Sequence, residues 1–370
     1  MTATFPRLGV RAITAIAGTA GTAAALVGGV ALGGTAASAA PAPNASVFVD
    51  TLGMHYSGFD APNAITVRSS GARFIVTDTA PITAGAGCAT FAPGGRLFGV
   101  TCTALTASNG ALRPFFVFAG KGDDVVTNLA AAAMTADGGQ GNDVLNGGAL
   151  GDKLLDAFGG DTLRGNGGSD SLLTTLSNDG LPDRLEGGDG DDDLKGGDAK
   201  DTLLGGAGSD LLFGGLGGDY LDAGGGANDV VSYFDTVHKG KRIVASLDGI
   251  TVANDGAQEI GGPSEGDTIA GSPDILVGGS GKNVLFGDSA DNHLIGHEAD
   301  DILIGGKGAD FLEGFGGNDQ LASNQMFGVP VADGRIDTLD GGDGTADYCR
   351  VPFVAVEADI TKGCEIINQD

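Results

Sequence analysis

Tryptophan is missing from the 370 residues, and tyrosine (4) and phenylalanine (17) are sparse. Two or three conventional domains of this length would need aromatic-rich cores, so bulk burial alone cannot hold the chain together. Basic residues are scarce too: 20 Lys and Arg stand against 48 Asp and Glu, for a net charge of −28. That imbalance argues against nucleic acid and anionic membranes as partners and favours a multivalent cation. No sustained helical periodicity appears beyond the N-terminal apolar stretch. The 4 cysteines form two pairs close in sequence, Cys88 with Cys102 and Cys349 with Cys364, without the Cys-x-x-Cys spacing of a zinc site. Four cysteines allow three connectivities. Local pairing is expected, each bridge closing a loop of about 15 residues and constraining the unfolded chain by about 3 kcal/mol in an oxidising compartment.

Residues 1–39 contain no acid. They carry Arg7 and Arg11, an Ala/Val/Leu/Gly stretch and Ala37-Ser38-Ala39 ahead of Ala40-Pro41, the pattern of a secretory signal peptide cleaved after Ala39. An uncleaved anchor is the alternative, but no basic stop-transfer segment follows. A secreted, extracellular protein without a membrane segment after cleavage is expected, with the cell wall as a further place of residence.

What is abundant is glycine, at 69 residues, and much of it is ordered. Units such as Gly138-Gly139-Gln140-Gly141-Asn142-Asp143-Val144-Leu145-Asn146 recur with a fixed period of nine. The sixth slot holds Asp143, Asp152, Asp161 and Asp170, then Asp183, Asp192, Asp201, Asp210 and Asp219, then Asp274, Asn283, Asn292, Asp301, Asp310 and Asp319. Such self-similarity dictates the fold. The expected segments are a signal peptide (1–39), an N-terminal β segment (40–119), repeats (120–231), a non-repeat β insertion (232–262), further repeats (263–348) and a disulfide-closed cap (349–370). A loop containing Pro330 precedes a last pair at Asp337 and Asp347. Because Asp319 and Asp337 are eighteen apart, that loop reads as standing in for one repeat.

Glycines let the first six residues of a unit turn tightly with carbonyls to one side, and x-Leu-x forms a short strand with leucine on one face. Two units then make a coil, stacked on the next by parallel pairing, with leucines such as Leu145, Leu163, Leu194, Leu212, Leu285 and Leu303 inside. Stacking brings Asp143 to Asp161, Asp192 to Asp210 and Asp301 to Asp319. Carboxylates about 4.8 Å apart repel unless a cation lies between them. Hard oxygen ligands in a turn favour Ca²⁺ over Zn²⁺ or Cu²⁺, while Mg²⁺ demands stricter octahedral geometry. The calcium-free repeats are therefore expected to be largely unfolded.

These units resemble the RTX, or haemolysin-type, calcium-binding repeat, which implies a parallel β-roll with calcium held in turns between adjacent coils. The resemblance covers roughly residues 120–348. On it the metal positions are Asp124, Asp143, Asp152, Asp161, Asp170, Asp183, Asp192, Asp201, Asp210, Asp219, Asp229, Asp267, Asp301, Asp310, Asp319 and Asp337, with Asp274 a weaker match. Asn283 and Asn292 lose a charge, and Leu150 replaces a glycine in the turn ending at Asp152; these three turns depart from the pattern. Ile82 to Cys88, Val100-Thr101-Cys102 and the ending Asp340 to Cys364-Glu365 are similar to secreted actinobacterial proteins carrying these repeats.

Catalytic readings find little support. About 80 residues separate the signal from Gly120, too few for the usual hydrolase folds. Gly262-Pro263-Ser264-Glu265-Gly266 fits Gly-x-Ser-x-Gly but lacks the strand-to-helix context of a nucleophile. His293 and His297 have the spacing of a helical zinc pair but fall on a predicted strand, and His55 and His238 are isolated. The combined expectation is an acidic, all-β, non-enzymatic calcium-binding protein of structural or adhesive role, with cell-surface or matrix components as candidate partners. The competing expectation is a calcium-dependent extracellular hydrolase or polysaccharide-modifying enzyme on the same roll.

Overall fold

Each nonapeptide contributes a glycine turn and then a short strand whose central side chain points inward, as in Val144–Asn146, Lys153–Leu155, Ser171–Leu173 and Asp193–Lys195. The computed structural model describes residues 45–91, 97–174, 179–234, 239–247, 256–258, 266–324, 333, 335–352 and 359–369. The expected signal peptide, His238, Ser264 and Pro330 lie outside these residues. Among the described residues every regular element is a strand. Successive strands alternate between two sheets, and residues one coil apart pair in parallel: Leu145 with Leu163, Leu154 with Leu172, Leu285 with Leu303. The protein is a parallel β-roll. One sheet of 15 strands runs its length, faced first by a sheet of 11 and then by one of 7.

The interior is one residue wide on each side. Leu145, Leu154, Leu163, Leu172, Leu194, Leu203, Leu212, Leu221, Leu285, Leu294, Leu303 and Leu312 are all completely buried. Burial of each leucine stabilises the fold by about 1.5–3 kcal/mol. The glycines make the tight stack possible. Gly190 has φ of 136°, and a Cβ there would lie 2.0 Å from the carbonyl oxygen of Gly168 one coil back, so both its conformation and its space are reserved for glycine.

The sheets begin in the N-terminal segment and continue into the repeats. Met54–Gly58 pairs in parallel with Phe115–Lys121, and Ala64–Ser69 with Val125–Leu129. Antiparallel strands Ala45–Val49 and Arg73–Asp78 lie against this first coil. The larger side chains Met54, Tyr56, Ile65, Phe74 and Phe115 fill the interior here, so this end carries the conventional core that the repeats lack. Beyond Arg73–Asp78, Phe98–Thr103 and Cys88–Phe91 complete the edge. The Cys88–Cys102 disulfide joins directly opposed residues, and Cys349–Cys364 closes the other end. Disulfide-tied strands at the ends protect sheet edges that would otherwise recruit other chains.

In the middle, Arg242–Ser246 opens the seven-stranded sheet by pairing with Asn283–Phe286. The loop expected to replace one repeat does not do so. Phe311 pairs with Thr338 and Leu312 with Leu339, while Gln320 pairs with Tyr348. Asp337 therefore stacks on Asp310 rather than Asp319, and Asp319 meets Asp347. The strand alternation thus continues from Gln320–Ala322 to Thr338–Asp340 with no repeat replaced. Skipping a strand would have left Phe311–Phe315 as an unpaired edge inside the longest sheet.

Candidate metal centres

A repeated hydrogen bond fixes the aspartates. Through most of both sides the backbone N–H of a sixth-slot residue donates to Oδ1 of the aspartate one coil on. Along one side Asp124 donates to Asp143, Asp143 to Asp161, Asp161 to Asp183, Asp183 to Asp201, Asp201 to Asp219 and Asp219 to Asp267, at 2.6–2.8 Å. On the other, Asp152 donates to Asp170, Asp170 to Asp192, Asp192 to Asp210 and Asp210 to Asp229. The pattern resumes with Asn283 to Asp301, Asp301 to Asp319, Asn292 to Asp310 and Asp310 to Asp337. All sixteen expected metal positions lie in these ladders and are at most 5 % exposed.

One oxygen of each carboxylate is thereby used, and the other raises the chemical question. In Asp124, Asp143, Asp161, Asp170, Asp192, Asp210, Asp301, Asp310 and Asp319, Oδ2 is buried without a hydrogen-bond partner. In Asp170, Asp192, Asp210, Asp310 and Asp319 this oxygen faces the first glycine of its own unit together with a backbone carbonyl from the next coil. A Cβ on Gly165 would sit 2.1 Å from Asp170 Oδ2 and 2.6 Å from the Gly187 carbonyl. At Gly187 the neighbours are Asp192 Oδ2 and the Gly205 carbonyl; at Gly314 they are Asp319 Oδ2 and the Gly341 carbonyl. Acceptors converging with no donor are costly in a buried site and fit a hard cation. Without one the carboxylates resist ionisation. Burial, augmented by nearby aspartates, raises Asp143, Asp192 and Asp319 to about 6, Asp161, Asp170 and Asp310 to about 7 and Asp301 to about 8.

The exceptions are informative. In the turn where Leu150 replaces glycine, Asp152 has both oxygens occupied, Oδ1 by Met134 N–H and Oδ2 by Gly148 N–H. Asp201 Oδ2 accepts from Gly197 N–H, and Asp267 Oδ2 from the Tyr233 hydroxyl. At Asn283 the amide nitrogen donates to the Gly296 carbonyl at 2.7 Å and to Asp301 Oδ1 at 2.9 Å. An internal donor thus occupies the place that carboxylate turns leave to a cation. Asn292 accepts from Asp288 N–H through Oδ1, and its Nδ2 is buried without a partner.

Two aspartates outside the expected set join the ladders. Asp347 is fully buried, accepts from Asp319 N–H at 2.8 Å and leaves Oδ2 without a partner. Its signal was the glycine run Gly341-Gly342-Asp343-Gly344, from whose sixth slot Asp347 is displaced by one residue. Asp156 occupies a first slot, where the repeat has glycine, and meets Asp143 and Asp161: a ligand oxygen from each lies within 4.8 Å of the others.

The histidines stand apart from the ladders. His293 and His297 lie four apart on the strand His293–His297 and do not converge. His293 Nε2 is 2.7 Å from Glu313 Oε2, whereas His297 stacks on Phe234 at 4.0 Å. His55 is stacked between Phe48 and Phe116 and bonded to Asp50.

Comparison with known protein families matches the chain to the RTX calcium-binding nonapeptide repeat at residues 135–154, 182–212, 196–230, 270–301 and 295–325. No curated protein matches the chain.

Proposed function

Starting from the RTX calcium-binding nonapeptide repeats that the chain carries, we propose that it is an exported structural protein whose roll is completed by Ca²⁺ in the turns. The observation that carries this reading is the row of buried Oδ2 atoms without donors, those of Asp170, Asp192, Asp210, Asp310 and Asp319 sharing the space at a first glycine with a backbone carbonyl of the next coil. Ions would be held by Asp124, Asp143, Asp161, Asp170, Asp192, Asp210, Asp301, Asp310, Asp319 and Asp347, together with turn carbonyl oxygens such as those of Gly187 beside Asp170 and Gly205 beside Asp192. Bound calcium would neutralise the stacked carboxylates and cross-link successive coils. Each site of Kd on the order of 10⁻⁴ M, in calcium about tenfold above it, would contribute about 1.4 kcal/mol. The signal-like residues 1–39 and the two disulfides support export to an oxidising, calcium-rich space. The long acidic surface supports an adhesive or scaffolding role at the cell surface or in a matrix.

Far-ultraviolet circular dichroism of the chelated chain, titrated with calcium and separately with magnesium, tests the reading. A cooperative gain of β signal with calcium alone is expected. A spectrum indifferent to calcium would overturn calcium-dependent folding, and failure to bind cells or matrix with calcium present would remove the adhesive role.

A further inference from the structure

Every glycine turn described above offers one carboxylate and one backbone carbonyl to the space beside its first glycine. The turn at Gly138 differs. A Cβ there would lie 2.2 Å from Asp156 Oδ2 and 2.5 Å from Asp143 Oδ2. Asp156 stands eighteen residues after Gly138, in the first slot of the next coil, where Gly165, Gly187, Gly196, Gly205, Gly214, Gly296, Gly305 and others hold that slot elsewhere. Its side chain thus adds a carboxylate where turns such as those at Gly165, Gly187, Gly205, Gly305 and Gly314 present a backbone carbonyl.

Asp156 is held for this. Its Oδ1 accepts from Ala157 N–H at 2.8 Å and Gly139 N–H at 3.2 Å. Its Oδ2 is buried without a partner, as are Asp143 Oδ2 and Asp161 Oδ2, and the side chain is only 2 % exposed. Among the described residues this is the one place where three acidic side chains bring oxygens within 4.8 Å of one another. Three converging carboxylates on rigid, hydrogen-bonded turns raise both the charge and the preorganisation that set calcium affinity.

We propose that Asp143, Asp156 and Asp161 form a distinct high-affinity cation site, the first of the roll to fill with calcium, and the one that favours a trivalent lanthanide most strongly over the other turns. The inference rests on the calcium-binding reading of the turns and adds to it a hierarchy that the repeat pattern lacks. Filling this site first would lock together the coils next to the conventional N-terminal core, giving later coils an ordered edge on which to stack.

The test is a calcium titration of the full chain against a chromophoric chelator, repeated with Tb³⁺ by directly excited luminescence. The variants are Asp156→Gly, which restores the repeat's own residue, and Asp156→Asn, which keeps the size and removes the charge. Asp189→Asn, an exposed acid elsewhere, controls for net charge. The wild-type chain should show one equivalent bound on the order of tenfold or more tighter than the rest. Both Asp156 variants should lose that equivalent while reaching the wild-type circular dichroism at saturating calcium; Asp189→Asn should keep it. Superimposable titrations of wild type and Asp156→Gly would overturn the proposal and leave calcium binding by the other turns intact. A wild-type chain that binds no calcium would overturn both.

Discussion

Removing calcium at different pH values probes the ladders directly. An aspartate in the unfolded chain titrates near 3.8, whereas burial first, and then Asp319 beside it, raises Asp301 to about 8 in the ion-free roll. A folded-state pKa above the unfolded one gives stability that is fully present below pH 3.8 and is lost as the pH rises toward 8. At pH 7 the unfolded form has released its proton and Asp301 has not, a gap of about 3 pH units that costs the fold about 4 kcal/mol. Asp170 and Asp310, at about 7, act in the same direction and with similar size. Two or three such groups equal the roughly 5–15 kcal/mol by which ordinary domains are stable. The chelated and desalted chain should therefore show little β signal at pH 7 and gain it on acidification below about pH 5. At pH 7 calcium should restore the signal without any acid. Circular dichroism from pH 3 to 8, with and without calcium, measures both arms. Undiminished β signal across that range in the calcium-free chain would refute the claim that buried carboxylates make the roll depend on an ion.

Other perturbations separate packing, turn and charge. Leu163→Ala empties a fully buried site between Leu145 and Leu185 and should cost about 2–5 kcal/mol in the calcium-loaded state, measured by denaturant unfolding. Gly187→Ala places a methyl group 2.3 Å from Asp192 Oδ2 and 2.5 Å from the Gly205 carbonyl; a loss of about 1–3 kcal/mol is expected. Gly225→Ala, where an added Cβ meets nothing within 4 Å, should leave stability within about 0.5 kcal/mol of wild type. Asn283→Asp replaces the amide donor to the Gly296 carbonyl with a second acceptor. It should raise the calcium stoichiometry by one in calorimetry and weaken the chelated state further.

Much of this architecture is written in the nine-residue period, because the period records local geometry. Glycine placement sets the turn, and the leucine slot sets which face of each strand is buried, so most of the ladder aspartates and the interior leucines of the repeats could be named from spacing. The β character of the N-terminal segment (40–119) was legible too, and strands such as Ala45–Val49 and Arg73–Asp78 lie within it. The antiparallel hairpins of Ala45–Val49 with Met54–Gly58 and of Ala64–Ser69 with Arg73–Asp78 were not legible, since no repeat fixes which strand pairs with which. The stacking of Asp337 on Asp310 shows the limit most clearly. A count of eighteen from Asp319 assigns it to the opposite sheet, yet a growing roll adds strands to alternate sheets, and the open edge of Phe311–Phe315 takes the next strand whatever the length of the loop before it. Phase is set by the coil already in place, so an insertion resets it without disturbing the period. Asp156 escaped for the converse reason. A period points to residues that obey it, and a carboxylate in a glycine slot reads as decay of the repeat until stacking sets it beside Asp143, where the departure adds a ligand.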